Sequence, residues 1–196
     1  LDREHSVNEV FLEDVRVPVE NRVGEENKGW TYAKYLLQFE RGNAYAPGLR
    51  NMLRKARKIA SVEQNDGAAL IRDHDFSRKM ANLEIKVDSL DATEQRIFSA
   101  LSAGQAVGPE SSMLKCEGSD TQQAITELVL EATGAYAAPF IQDSFAVARA
   151  GANANLPMPE YAVPVAPSYF NYRKTSIYAG SNEIQRNIMA KMVLGL

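Results

Sequence analysis

Cysteine and histidine are almost absent from this chain. The single cysteine, Cys116, excludes an internal disulfide and fits a reducing compartment. The two histidines, His5 and His74, stand far apart and share no ligand spacing with Cys116, so no metal site is expected. An excess of either charge is also missing. The 22 basic and 25 acidic residues are mixed, which leaves no footprint for nucleic acid or another polyanion. No apolar run is long enough to span a bilayer, and no signal peptide is visible. These absences predict a soluble, cytoplasmic chain with no membrane and no nucleic-acid partner. The chain starts at Leu1 without an initiator Met, which predicts a fragment or a processed product. Its 196 residues suffice for one core or slightly more.

What is present is mainly helical periodicity. Residues 1–24 read as extended. They hold a β-prone stretch, Ser6-Val7-Asn8-Glu9-Val10-Phe11-Leu12, and a second short run, Asp14-Val15-Arg16-Val17-Pro18. Two short strands do not make a stable sheet, so this stub is expected to be the remnant of an upstream β-domain. From Glu25 the spacing changes. Trp30, Ala33, Leu37, Glu40 and Ala44 fall on one helix face, and Pro47-Gly48 should kink or interrupt that helix before Leu49 resumes it. A polar break at Gln64-Asn65-Asp66-Gly67 follows.

The next segment, about 75–103, carries a seven-residue repeat: Phe76, Met80, Leu83, Val87, Leu90, Glu94, Ile97 and Leu101. Such a repeat marks an antiparallel bundle seam. Pro109 opens a further helix with Leu114, Thr121, Ile125, Leu128 and Ala132 on one side, ending toward Gly134. Four prolines make 153–167 an expected irregular loop. A polar turn then leads into a last helix, with Ser181 as N-cap and Ile184, Ile188 and Met192 on one face. The predicted fold is all-α: an antiparallel bundle of four or more long helices over 25–196, preceded by a short β stub over 1–24.

Two carboxylates interrupt apolar stripes. Glu40 has Leu36, Leu37, Asn43 and Ala44 at helical spacings, and therefore no local cation. A carboxylate turned into a bundle interior in that way is tuned toward proton acceptance. The alternatives are pairing with Arg41 or with a cation on another helix, or a solvent-facing helix end. Glu94, between Leu90 and Ile97, fits the same description, so the pattern alone does not rank the two. The turn before the last helix offers backbone N–H groups to an anion or a ligand oxygen.

The segment Ile177-Tyr178-Ala179-Gly180-Ser181-Asn182-Glu183-Ile184-Gln185 resembles the C-terminal signature of the acyl-CoA dehydrogenase family, Ile-Tyr-x-Gly-(Ser/Thr)-x-(Glu/Gln)-Ile-Gln. In many members the first x is the catalytic glutamate; here it is Ala179. A minority of members carry that base on the helix after the β-domain, directly before an arginine. Phe39-Glu40-Arg41-Gly42-Asn43-Ala44 is similar to that setting. Phe11 to Pro18 and Val23 to Trp30 also look like the family's passage from β-domain to helical domain.

The resemblance implies α,β-dehydrogenation of an acyl-CoA substrate with FAD as cofactor. Glu40 would be the base, the Ala179 backbone N–H would polarise the thioester carbonyl, and Ser181 and Glu183 would contact FAD. Two family elements that clasp a neighbour's FAD, Arg-x-x-Phe-Gly and Gln-x-x-Gly-Gly-x-Gly, are not matched by Arg72-Asp73-His74-Asp75-Phe76-Ser77 or by Leu130 to Tyr136, which keeps only Gly134. That implies a homo- or hetero-oligomer through the helical domains, with a second acyl-CoA dehydrogenase subunit completing the FAD site. Loss of FAD binding accounts for the same departures. A non-catalytic helical subunit and an acyl-CoA oxidase of the same fold are the competing readings, and the chain alone is expected to be inactive.

Overall fold

The computed structural model describes residues 7–40, 44–106, 108–139 and 156–196, with the backbone alone for 38–40. Among the described residues six α-helices carry the architecture: α1 (Gly29–Glu40), α2 (Ala46–Val62), α3 (His74–Ser102), α4 (Glu110–Thr133), α5 (Val165–Tyr172) and α6 (Asn182–Leu194). The bundle is α2, α3 and α4, with α5 and α6 laid against α4. All-α is therefore the fold, as the periodicity requires.

The heptad stripe of α3 is the strongest sequence signal, and the structure buries it. Phe76, Met80, Leu83, Val87, Leu90, Glu94 and Ile97 all lie inside, and Leu101 packs half-buried at the end. They meet Leu49, Leu53, Ala56 and Ile59 of α2 and Leu114, Ile125, Leu128 and Ala132 of α4. Each large side chain buried there contributes about 1.5–3 kcal/mol of transfer free energy. The Asp73 carboxylate caps α3 by accepting from the Phe76 amide at 2.9 Å. Ion pairs fix the antiparallel register of α2 and α3: Arg50 bonds Asp88 and Asp91, and Arg57, one helical face further on, bonds Glu84. Lys79 pairs with Glu131 at 2.9 Å and sets α4 against the start of α3.

The described N-terminal stretch is extended without a sheet of its own, as its sequence predicts, while other expectations need correction. Residues 7–24 are exposed and largely extended, with one 3-10 turn at Val19–Asn21, and form no ladder among the described residues. The paired strands are instead β1 (Gln64–Asn65) and β2 (Ala68–Ala69), an antiparallel hairpin around Gly67 that joins α2 to α3. A stretch as short as 7–24 has no partner strand here, and unpaired strands do not make a sheet.

The helix expected from Glu25 starts at Gly29. Its apolar face is not buried in this chain: Trp30 is 71% exposed and Leu37 36%, because α2, α3 and α4 fill the core among themselves. Just before it, Gly24 adopts a φ of +75° and lies under the Tyr32 ring, where a β-carbon would come within 2.3 Å. The Tyr32 hydroxyl accepts from the Glu25 amide at 2.9 Å, so one side chain holds that turn from both sides. Pro47 interrupts the helical run, but as a first-turn residue of α2 rather than a kink.

Pro167 likewise sits in the first turn of α5, which begins at Val165 inside the stretch expected to be irregular. In α6 the expected apolar face is turned outward, with Ile184 53% and Met192 57% exposed, while Asn182 and Gln185 are buried. For Asn182 the reason lies on α4, whose Lys115, Ser119 and Asp120 receive its side chain, while Gln185 folds back under its own turn to the Gly180 carbonyl.

Glu94 is resolved by what it touches. Its Oε1 accepts from the amides of Tyr45 at 2.6 Å and Ala46 at 3.0 Å. These are orphan donors of the α2 N-terminus, and Tyr45 has no side-chain cap of its own to offer. A carboxylate at the positive end of a helix dipole is in its favoured place. Glu94 is 2% exposed and structural.

Replacing Glu94 by Ala is expected to cost about 2–4 kcal/mol, since two buried amides lose their acceptor. Glu94→Gln keeps one oxygen and should lose about half of that. Urea unfolding followed by far-UV circular dichroism measures both, and an Ala variant as stable as the parent would contradict the capping role.

Candidate active site at the turn before the last helix

Helix α4 is central and buried on more than one side, so it presents polar as well as apolar residues to its neighbours. Its second half anchors the chain ahead of the turn. The Gln123 amide nitrogen lies 3.2 Å from the Arg173 carbonyl and 3.3 Å from the Tyr172 carbonyl and the Thr175 and Ser176 hydroxyls. Arg173 answers with bonds to Glu127 at 2.7 Å, to Thr126 at 2.7 Å and to the Gln123 carbonyl at 2.9 Å, while its guanidinium stacks 4.3 Å over the Tyr169 ring. A 3-10 turn, Arg173–Ser176, is thereby pinned to α4.

The first half of α4 anchors the chain after the turn. Lys115 and Ser119 both donate to Asn182 Oδ1, at 2.7 and 3.1 Å. The Asn182 side chain donates to Asp120 at 2.9 Å, and the Cys116 thiol meets the Asn182 carbonyl at 3.6 Å. Arg186 adds an ion pair to Asp120 at 3.7 Å. Burial pulls the Lys115 ammonium below its ordinary pKa, opposed by the nearby Cys116, Asp120 and Glu183.

Between these anchors runs the exposed turn 177–181. Ala179 has a φ of +54° and Gly180 one of +80°, two successive left-handed residues. Glycine takes this conformation freely, whereas a β-carbon at Gly180 would also come within 2.5 Å of the Gln185 amide. At Ala179 the conformation is strained. The Ala179 N–H has no hydrogen-bond partner among the described residues. Ile177 and Tyr178 stand 68% and 50% exposed beside it. Ser181 caps α6 as expected, accepting from the Ile184 amide at 3.4 Å. Glu183, in the first helical turn, is held below the ordinary glutamate value by its own backbone N–H and by Ser181. Gln185 is buried under the turn, its Oε1 without a partner among the described residues.

The site residues expected from sequence divide into two groups. Ala179, Ser181 and Glu183 share this one turn and helix start, with backbone and polar groups open to a ligand. Glu40 is the last residue of α1; its side chain, and all of Arg41, Gly42 and Asn43, lie outside the described residues. The chain re-enters at Ala44 and Tyr45. The Tyr45 ring packs on Gly118 of α4, and its pKa is raised by burial and then by the proximity of Tyr178, Cys116 and Glu94. Tyr45, just before α2, thus lies close enough to the turn to feel Tyr178. Among the described residues no cluster of His, Cys, Asp and Glu suits a metal ion, and no helix is long and apolar enough to cross a membrane.

Sequence reasoning missed Lys115, Gln123 and Asn182. One signal was available for the lysine: Ser111, Ser112, Gly118 and Ser119 surround it at helical spacings, and small residues mark a close approach of another element.

Comparison with known proteins gives a consistent picture. Residues 27–194 match the family model described as the acyl-CoA dehydrogenase C-terminal domain. The chain is similar to acyl-CoA dehydrogenase FadE26 of Mycobacterium tuberculosis, 28% identical over 191 residues, covering 95% of this chain and 44% of the relative. Among solved structures it is similar to the ChsE4-ChsE5 complex of the same organism, at 26% identity and a TM-score of 0.71, covering 95% of this chain and 45% of that one. The fold also matches an acyl-CoA dehydrogenase of Geobacillus kaustophilus, with a TM-score of 0.73 at 21% identity, covering 95% and 44%. The chain therefore spans less than half the length of these relatives.

Gly180→Ala is expected to destabilise the protein by about 1–2 kcal/mol through its left-handed backbone and the Gln185 contact. A melting curve unchanged by that substitution would contradict the turn geometry. Glu183 has a lowered folded pKa, so its contribution is present above the unfolded value of 4.5 and fades as pH falls through the folded one. The stability gap between the parent and Glu183→Gln should therefore be seen at neutral pH and close on acidification. A gap that widens in acid would reverse the sign.

Proposed function

Because this chain belongs to the acyl-CoA dehydrogenase family, we propose that it forms the C-terminal part of an FAD-dependent enzyme that dehydrogenates an acyl-CoA thioester between Cα and Cβ. Glu40 is the general base in this reading, and the Ala179 amide receives the thioester oxygen. The observation that carries it is an Ala179 amide with no hydrogen-bond partner among the described residues, in a turn whose Tyr178 influences Tyr45, five residues after Glu40.

The chemistry needs both groups. An α-hydrogen of a thioester is weakly acidic, and a donor on the carbonyl oxygen lowers the cost of the enolate that its removal creates. The Ala179 N–H suits that task because, in its strained, exposed turn, it has no partner among the described residues. A methyl side chain at 179 keeps the amide and leaves space for a carboxylate that arrives from another element. Glu40 then takes the α-proton, with Ile177 and Tyr178 supplying apolar surface that excludes water from the enolate.

The cofactor of the family is FAD, which supplies the acceptor for the β-hydrogen when bound. The residues present fit it: Ser181 and Glu183 stand at an open helix N-terminus, with free backbone polarity and exposed apolar side chains next to them. They are the groups that would hold it here. Trp30, Tyr35 and Leu36 on α1, and Met192, Val193 and Leu194 on α6, expose apolar surface that a further domain or subunit can cover. One similar structure is a complex of two chains, which supports assembly with a second acyl-CoA dehydrogenase subunit.

Glu40→Gln, made in the complete protein with its partner subunit, should keep FAD bound and lower the rate of flavin reduction by acyl-CoA about 10²- to 10⁴-fold. Retained flavin with an unaltered reduction rate would remove Glu40 from the role of base. A parent protein that never binds flavin would favour a non-catalytic subunit. Rapid reoxidation of the reduced flavin by oxygen would identify an oxidase.

A further inference from the structure

Lys115 is a buried cation that the proposed chemistry does not use. It is 3% exposed, and its ammonium reaches from α4 to Asn182, the first residue of α6. Asn182 is itself saturated: its side-chain oxygen accepts from Lys115 and Ser119, its side-chain nitrogen donates to Asp120, and its main-chain carbonyl faces the Cys116 thiol. Burying an amine and an amide so completely is costly unless the geometry is worth fixing. The helix itself does not need it, since α6 has Ser181 as its own N-cap. What the contact fixes is the approach to the helix, three residues after Ala179.

The opposite anchor lies on the same face of α4. Gln123, eight residues and about 12 Å further along, holds the Tyr172 to Ser176 end of the segment. The turn thus runs between two clamps on one rigid rod. It contains two successive left-handed residues, one of them an alanine, and such a conformation persists only where its surroundings determine it.

We propose that Lys115, acting through Asn182, is a positioning residue that aims the Ala179 amide, so that loss of its ammonium misplaces the amide without unfolding α6. This rests on the reading of the Ala179 amide as the thioester donor. The structural half stands apart from it, because the turn can be observed without any reaction.

The test uses Lys115→Met in the complete protein with its partner, which keeps the side-chain length and removes the donor. Hydrogen exchange followed by mass spectrometry, without substrate, should show the hydrogen-bonded amides that flank the turn, Ile177, Tyr178, Ile184 and Gln185, exchanging about tenfold faster, with the rest of α4 and α6 unchanged. In the same variant kcat should fall about tenfold or more, with KM for the acyl-CoA little altered, because the misplaced donor is lost at the transition state. Unchanged exchange in the turn overturns the proposal. So does faster exchange spread over all of α4 and α6, which would make Lys115 a stability residue. Should Lys115→Met fail to fold, Ser119→Ala removes the second donor to the same oxygen and should give a smaller rise in the same amides; none there also overturns the proposal. Faster exchange in the turn with no change in kcat retains the clamp but removes the Ala179 amide from the reaction, so the two failures are distinguishable.

Discussion

A buried carboxylate that takes two main-chain amides as its partners organises this bundle. Glu94 gives one oxygen to the amides of Tyr45 and Ala46, and so fastens the start of α2 to the interior of α3. The consequences run outward from there. With its first turn fixed, α2 can carry Pro47 where a missing donor costs nothing. The Tyr45 ring is then laid onto Gly118, a position where a β-carbon would lie 2.5 Å from the ring. The same ring comes under the influence of Tyr178. One hydrogen-bonded anion thus registers three helices and the C-terminal turn.

Helix α4 performs the complementary task. Its apolar side closes the core with Leu114, Ile125 and Leu128, while its polar side receives the segment from Tyr172 to Gln185. Cores built from apolar groups alone tolerate sliding, because dispersion has little direction. Hydrogen bonds from Lys115, Ser119 and Gln123 do have direction, and a register error would leave several buried polar groups unpaired. The helix supplies stability through one face and alignment through the other.

This division of labour also explains what was legible in the sequence. The heptad stripe of α3, the Ser181 cap and the all-α fold could be read because they follow from period and local chemistry. The exposure of α1 and of Ile184 and Met192 could not, since the sequence shows that a face is apolar but not which element covers it. Glu94 and Glu40 looked alike because both lack a local cation, and the acceptor role of Glu94 depends on amides 48 and 49 residues away. Lys115 escaped notice for a related reason: its partner is 67 residues distant. Ala179, Ser181 and Glu183 were found together because the segment that carries them is contiguous.

The left-handed backbone at Ala179 also shapes how this site can change over generations. At a positive φ a branched β-carbon is heavily penalised, while an unbranched side chain of any length bears nearly the same modest strain. Position 179 is therefore a place where a short side chain and a long one are close to interchangeable as far as the main chain is concerned. An ancestral carboxylate could be gained or shed there with the turn, its anchors and its amide left intact, as long as another base served in its stead. Strain that looks like a cost to one molecule works, across a lineage, as freedom for the side chain at that position to change.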